Sequence, residues 1–172
     1  MIIKFKFTDK AIQIMKEAEE LFLASAGVSK DIDFTPKRAT EGSSGYDLKS
    51  CLLQSLTIWQ DEVVKIPTGV HVWLGSLVCP LGKDFRWSGL LMPRSSNPGL
   101  KLTNTIGLSD DDYQGEIFLK YKNTSDFPIS INPGDKIGQL VIIPTYVGDM
   151  ELDQTEWEST ERGSGSFGST GK

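Results

Sequence analysis

The hydrophobic positions of the chain change their period within the first thirty residues. Ile2 to Phe7 alternates apolar and charged residues, the period of a half-buried strand. From Asp9 to about Ser25 the apolar residues instead recur at helical spacing: Ala11, Ile14 or Met15, Ala18, Leu21 or Phe22, and Ser25 share one face. Lys10, Lys16, Glu17 and Glu20 fall on the other. Thr8 is placed to cap this helix and Gly27 to end it. Val28 to Lys37 reads as a connector.

Beyond it the pattern is β. Pro36 to Ser50 is a small-residue loop that enters a strand at Tyr46 to Leu48. Further strands are predicted at Thr57 to Trp59, Glu62 to Ile66, Gly69 to Leu74 and Arg86 to Leu91, with Pro67, Gly75, Pro80 and Gly82 as breaks. Leu102 to Leu108 and Glu116 to Tyr121 read as the arms of a hairpin. Phe127 to Ile131 and Lys136 to Pro144 flank the turn sequence N-P-G-D. Short strands at this spacing predict an all-β sandwich or barrel, preceded by one amphipathic helix near the N-terminus. Residues 1–155 form the expected β domain. From Glu151 the composition shifts, and 156–172 read as a flexible Gly/Ser-rich arm.

Composition narrows the function. At 172 residues and 38% hydrophobic content the chain suits one globular domain with a full core. Its net charge of −5 and pI near 4.9 offer no basic face for nucleic acid. Cys51 and Cys79 lie far apart and His71 is the only histidine, which argues for reduced core thiols and against structural zinc. No apolar run reaches membrane-spanning length and the N-terminus lacks a signal-peptide pattern, so a cytoplasmic location is expected.

Five stretches carry candidate chemistry. Asn104 to Gly115, N-T-I-G-L-S-D-D-D-Y-Q-G, places three adjacent carboxylates beside an aromatic, so that Asp110 and Tyr113 are presented together. Mutual repulsion of the carboxylates favours a nearby cation and a base, although a solvated acidic turn has the same composition. Arg94, Ser95 and Ser96 follow a strand directly, where a guanidinium, two hydroxyls and free amides can hold phosphate oxygens; an ordinary polar turn closed by Pro98-Gly99 reads the same way. Asp47 sits on the strand after the first glycine-rich loop, and Gln139 interrupts an apolar run. In the arm, Arg162 and Phe167 supply a cation and a lone aromatic suited to closing over a phosphorylated planar ring.

In their order and spacing these stretches resemble the five motifs of the trimeric dUTPase family: P-K-R-A-T-E-G-S-S-G-Y-D-L, P-R-S-S, N-T-I-G-L-S-D-D-D-Y-Q-G, P-G-D-K-I-G-Q-L and R-G-S-G-S-F-G-S-T-G. The resemblance covers the chain from about Pro36 to the C-terminus. It implies a jelly-roll-like β-barrel or sandwich and a homotrimer with shared sites that hydrolyses dUTP to dUMP and pyrophosphate with Mg2+. It further implies Asp110 as the base that activates water for attack on the α-phosphorus. Tyr113 would lie under the sugar, and Asn104 with backbone groups such as Gly107 would pair with uracil. Arg94, Ser95, Ser96 and Gln139 would hold the phosphates, and Asp47 would support magnesium through water. Arg162, Gly168, Ser169 and Thr170 would add phosphate contacts, and Phe167 would cover the uracil.

The chain departs from the family pattern at three places. Ser109 replaces an apolar residue, with looser packing behind Asp110 expected; Ser166 replaces a glycine beside Phe167; and the helix is an insertion. A related deaminase acting on dCTP would need a carboxylate after the hairpin, where Phe118 to Lys122 carries lysines. A regulatory protein using the helix to bind a partner is the reading from another class.

Overall fold

The computed structural model describes residues 2–24, 32–161 and 164. Strands β1 (Lys4–Phe7), β5 (Val63–Trp73), β9 (Glu116–Asn123) and β7 (Leu100–Leu102) form one antiparallel sheet, in the order β1-β5-β9-β7. The second runs β2 (Lys37–Arg38), β3 (Gly45–Lys49), β11 (Lys136–Tyr146), β6 (Phe85–Pro93), β8 (Gly107–Ser109). Strands β4 (Leu56–Ile58) and β10 (Ile129–Ile131) make a separate pair. Ile66, Val70, Val72, Ile117, Leu119 and Tyr121 from the first sheet join Leu48, Leu91, Ile137 and Leu140 from the second in a single core. The result is the expected jelly-roll-like β sandwich. Strand β9 shows the cause most cleanly, since Ile117, Leu119, Tyr121 and Asn123 alternate inward at the period of the pleat.

Helix α1 (Asp9–Ala24) begins where the sequence places it. Thr8 Oγ1 accepts the Ala11 amide at 3.1 Å, and the Thr8 carbonyl receives the first helical bond, from Ile12, at 3.0 Å. Ala11 and Ile14 are buried in the core, while Gln13, Lys16 and Glu17 face outward. Burying the Ile14 side chain stabilises this docking by roughly 1.5–3 kcal/mol. The close approach depends on Gly69, whose φ is +74°. A Cβ there would lie 2.8 Å from that of Ala11 and 2.9 Å from Cys51 Sγ.

Two readings of the chain need correction. Pro67 does not end a strand: β5 runs through it. Its carbonyl accepts the Cys51 amide at 2.8 Å, and the pairing with β9 is already irregular between Pro67 and His71, so the missing N–H interrupts little. Nor are the strands around the Asn104–Gly115 stretch the paired arms of a hairpin. Strand β8 pairs with β6 and β9 with β5 and β7, so this stretch crosses from one sheet to the other. Residues Thr103 to Ile106 turn instead of continuing a strand, with Thr105 at φ 61°. Among the described residues no helix is long and apolar enough to cross a membrane.

Candidate active site

The sequence-predicted residues gather into two groups. The first surrounds Asp47 on β3. Its Oδ1 accepts a hydrogen bond from Arg94 Nη1 at 2.5 Å, and its Oδ2 lies 2.7 Å from Lys136 Nζ. The Asp47 side chain is 13% exposed, so two cations hold a carboxylate that is largely withdrawn from water. Gln139 stands opposite both Asp47 and Met92 in the sheet, and its Nε2 donates to the Pro93 carbonyl at 3.3 Å. That bond ties β11 to the start of the turn bearing Arg94, Ser95 and Ser96, in which the Asn97 amide returns to the Arg94 carbonyl at 3.2 Å. Ser95 and Ser96 are exposed there. The same turn contains a group that the sequence did not single out: Asn97 Nδ2 is buried with no hydrogen-bond partner among the described residues. A buried donor left so costs about 1–3 kcal/mol.

The second group is the crossing loop. One turn brings its ends together, the Tyr113 amide donating to the Asp110 carbonyl at 3.3 Å. Tyr113 Oη donates to the Glu116 carbonyl at 2.8 Å. Both sheets brace the loop. From β5, the His71 ring meets the Gln114 carbonyl at 2.9 Å through Nδ1, which must carry the proton to donate. From β6, Arg86 Nε lies 3.5 Å from Asp111 Oδ2 while its Nη1 is held by the Lys83 and Phe85 carbonyls. Asp111 is thereby engaged, whereas Asp110 and Asp112 are exposed. Asp110, Tyr113, Ser109, Lys65, Glu116 and Phe118 line a cleft of about 240 Å³. Asn104 sits near Gly107 at the other end of β8, its Nδ2 3.4 Å from where a Gly107 Cβ would be.

Ser109 is buried, and its partner across the β6–β8 pair is Gly89; a Cβ on Gly89 would lie 3.3 Å from that of Ser109. A small side chain facing a glycine gives close packing behind Asp110, where the sequence led us to expect slack. Arg162, Phe167, Gly168, Ser169 and Thr170, with the departure at Ser166, lie outside the described residues.

The two groups do not meet within one chain. Ser109 pairs with Gly89, five residues before Arg94, so the Cα atoms of Asp110 and Arg94 stand about 17–20 Å apart at ~3.3 Å per residue. Among the described residues no group of three or more His, Cys, Asp or Glu side chains forms a metal-binding cluster. With both oxygens of Asp47 already engaged by cations, an ion beside it would have to be carried mainly by water and phosphate oxygens.

A family model described as dUTPase matches residues 34–171. The deoxyuridine 5'-triphosphate nucleotidohydrolase of Idiomarina loihiensis is 39% identical over 140 residues, covering 80% of this chain and 87% of that protein. Among solved structures, a mutant dUTPase of Staphylococcus bacteriophage 80alpha with dUpNHpp superposes with a TM-score of 0.71 over 99% of both chains, at 22% identity. A mutant dUTPase from phage phi11 of S. aureus, described with a coordinated structural Mg(II) ion, gives a TM-score of 0.64 over 92% of this chain and all of that one, at 20% identity.

Proposed function

The chain belongs to the dUTPase family and is an enzyme of dUTP hydrolysis, and from that premise we propose how its residues divide the work. The uracil pairs with Asn104 and the backbone at Gly107, and the deoxyribose lies over Tyr113. Asp110 accepts a proton from a water molecule whose oxygen attacks the α-phosphorus. The bond from that phosphorus to the bridging oxygen breaks, and pyrophosphate leaves dUMP behind. A positioned base of this kind accelerates turnover by about 10²–10⁴. Arg94, Ser95, Ser96 and Gln139 hold the phosphate oxygens in line, and positioning of that sort supplies much of the remaining rate. Magnesium, when bound, neutralises charge on the triphosphate, and Asp47 is the residue that would support it through water.

One observation carries the quaternary part of this reading: the separation of Asp110 from Arg94. A nucleoside lying along β8 from Gly107 towards Asp110 directs its phosphates away from the Arg94 of its own chain, because β6 runs antiparallel and Arg94 lies at the Gly107 end. Asp110 of one subunit therefore works with Arg94 of another. With one copy of each motif per chain, a closed homotrimer meets this need by symmetry. The arm, residues 156–172, brings Arg162, Phe167, Gly168, Ser169 and Thr170 over the nucleotide.

Subunit complementation tests the shared site. Asp110→Asn and Arg94→Ala should each be inactive alone, and their co-expression should restore a fraction of the wild-type activity in mixed trimers. A mixed preparation as inactive as its parents, with mixed trimers verified by mass, would contradict it.

A further inference from the structure

The β-bulge in β11 aims a residue at Asp47 that regular pairing would turn away. Gln139 stands opposite Asp47 and Gly138 opposite Leu48, yet Lys136 stands opposite Lys49, so Ile137 is one extra residue on the β11 side. Lys136 and Gln139 are three positions apart and would face opposite sides of a regular strand. The extra residue puts both on the face of Asp47. Burial records the same event, since Ile137 and Gly138 are consecutive buried residues, ahead of the alternation from Gly138 to Val141. The displaced Ile137 carbonyl is satisfied by the Tyr121 hydroxyl, which donates to it at 2.6 Å from within the core. The bulge is thus held from the opposite sheet.

Its product is a carboxylate with two cations, one on each oxygen. Arg94 occupies Oδ1 and Lys136 occupies Oδ2. Arg94 holds Asp47 through Nη1 alone, so a guanidinium that reorients to grip phosphate loses its one bond to that carboxylate. A carboxylate that is 13% exposed is costly to leave alone. We propose that Lys136 is a positioning residue for substrate binding: it keeps Asp47 paired while Arg94 turns to the triphosphate. This rests on the assignment of Arg94 to phosphate made above.

The test is steady-state dUTP hydrolysis at fixed magnesium by the wild type, Lys136→Met and Lys136→Arg. Methionine keeps most of the stem and removes the charge; arginine restores a cation. Lys136→Met should raise KM by about five- to thirtyfold with kcat within about threefold of wild type. Lys136→Arg should bring KM back to within about threefold, and all three proteins should melt within a few degrees of one another. An unchanged KM in Lys136→Met, or a loss confined to kcat, would overturn the proposal while leaving the dUTPase reading intact. A wild-type protein that failed to turn over dUTP would overturn both.

Discussion

The ring of Tyr113 occupies the space that a side chain on Gly115 would need: a Cβ at Gly115 would lie 2.4 Å from Tyr113 Oη and 2.6 Å from Cζ. The same hydroxyl donates to the Glu116 carbonyl, so Tyr113 is folded back over its own loop and fixed there. The glycine of the third motif is in this sense a part of the tyrosine's position.

Gly115→Ala should therefore displace Tyr113 by roughly an ångström and lower kcat/KM for dUTP by about ten- to a hundredfold. Melting temperature should change little, since Gly115 is half-buried and outside the core. Activity and thermal melts measured together check this; a fully active variant would detach the ring's placement from catalysis.

His71 and Arg86 hold the loop from opposite sheets, and their loss should loosen it without unfolding the sandwich. His71→Ala or Arg86→Ala should each cost about 0.5–1.5 kcal/mol or less. Amide hydrogen exchange should quicken from Asp110 to Gly115, with core strands such as β9 unaffected. The half-exposed Arg86 pair should give the smaller effect and weaken further with salt.

Alkaline pH should destabilise the fold through two buried acids. Burial, with a smaller contribution from the Glu116 charge against an opposing one from Lys10, pushes the Cys51 thiol from its usual 9.0 up to about 11. Burial likewise pushes Tyr121 from 10.0 up to about 12. The unfolded chain releases these protons first, so stability is complete below about pH 9 and falls as the pH rises towards 12. Denaturant midpoints across this range, and late ionisation of one tyrosine followed by ultraviolet absorbance, would show it. Native Cys51 should resist alkylation at pH 8 and react on unfolding.

Deleting residues 162–172 should lower kcat/KM by at least about a hundredfold, because the deletion removes Arg162 and Phe167, proposed above to lie over the nucleotide; stacking of an aromatic on a base is alone worth about 1–3 kcal/mol. Phe167→Ala should account for about five- to a hundredfold of that loss. The assembly mass from light scattering should stay that of a trimer.

Much of this was legible in the chain. Thr8, Ala11 and Ile14 announce the helix because capping and burial are local, and the inward run from Ile117 to Tyr121 announces a strand because the pleat has a fixed period. Partner choice is not local. The approach to Asp110 has β character, but nothing in Leu102 to Leu108 says that Gly107 and Leu108 pair with β6 while Leu102 pairs with β9. The bulge at Ile137 escaped for the same reason: an extra residue in a ladder is defined by the opposite strand. Asp47 stood out on the strand after a glycine-rich loop and Gln139 by interrupting an apolar run, whereas Lys136, in the same motif as Gln139, had no feature to mark it as a partner of Asp47. His71 and Arg86 were equally hidden, being ordinary polar residues until the fold sets them against the loop.

Pyrophosphate release from dUTP, dCTP and dTTP, with and without magnesium, separates the wild type from Asp110→Asn. The wild type should show magnesium-stimulated release from dUTP with little from the other two. Asp110→Asn, still folded and trimeric, should be slower by about 10²–10⁴. Near-normal turnover in Asp110→Asn, or equal turnover of all three nucleotides by the wild type, would contradict the proposed function.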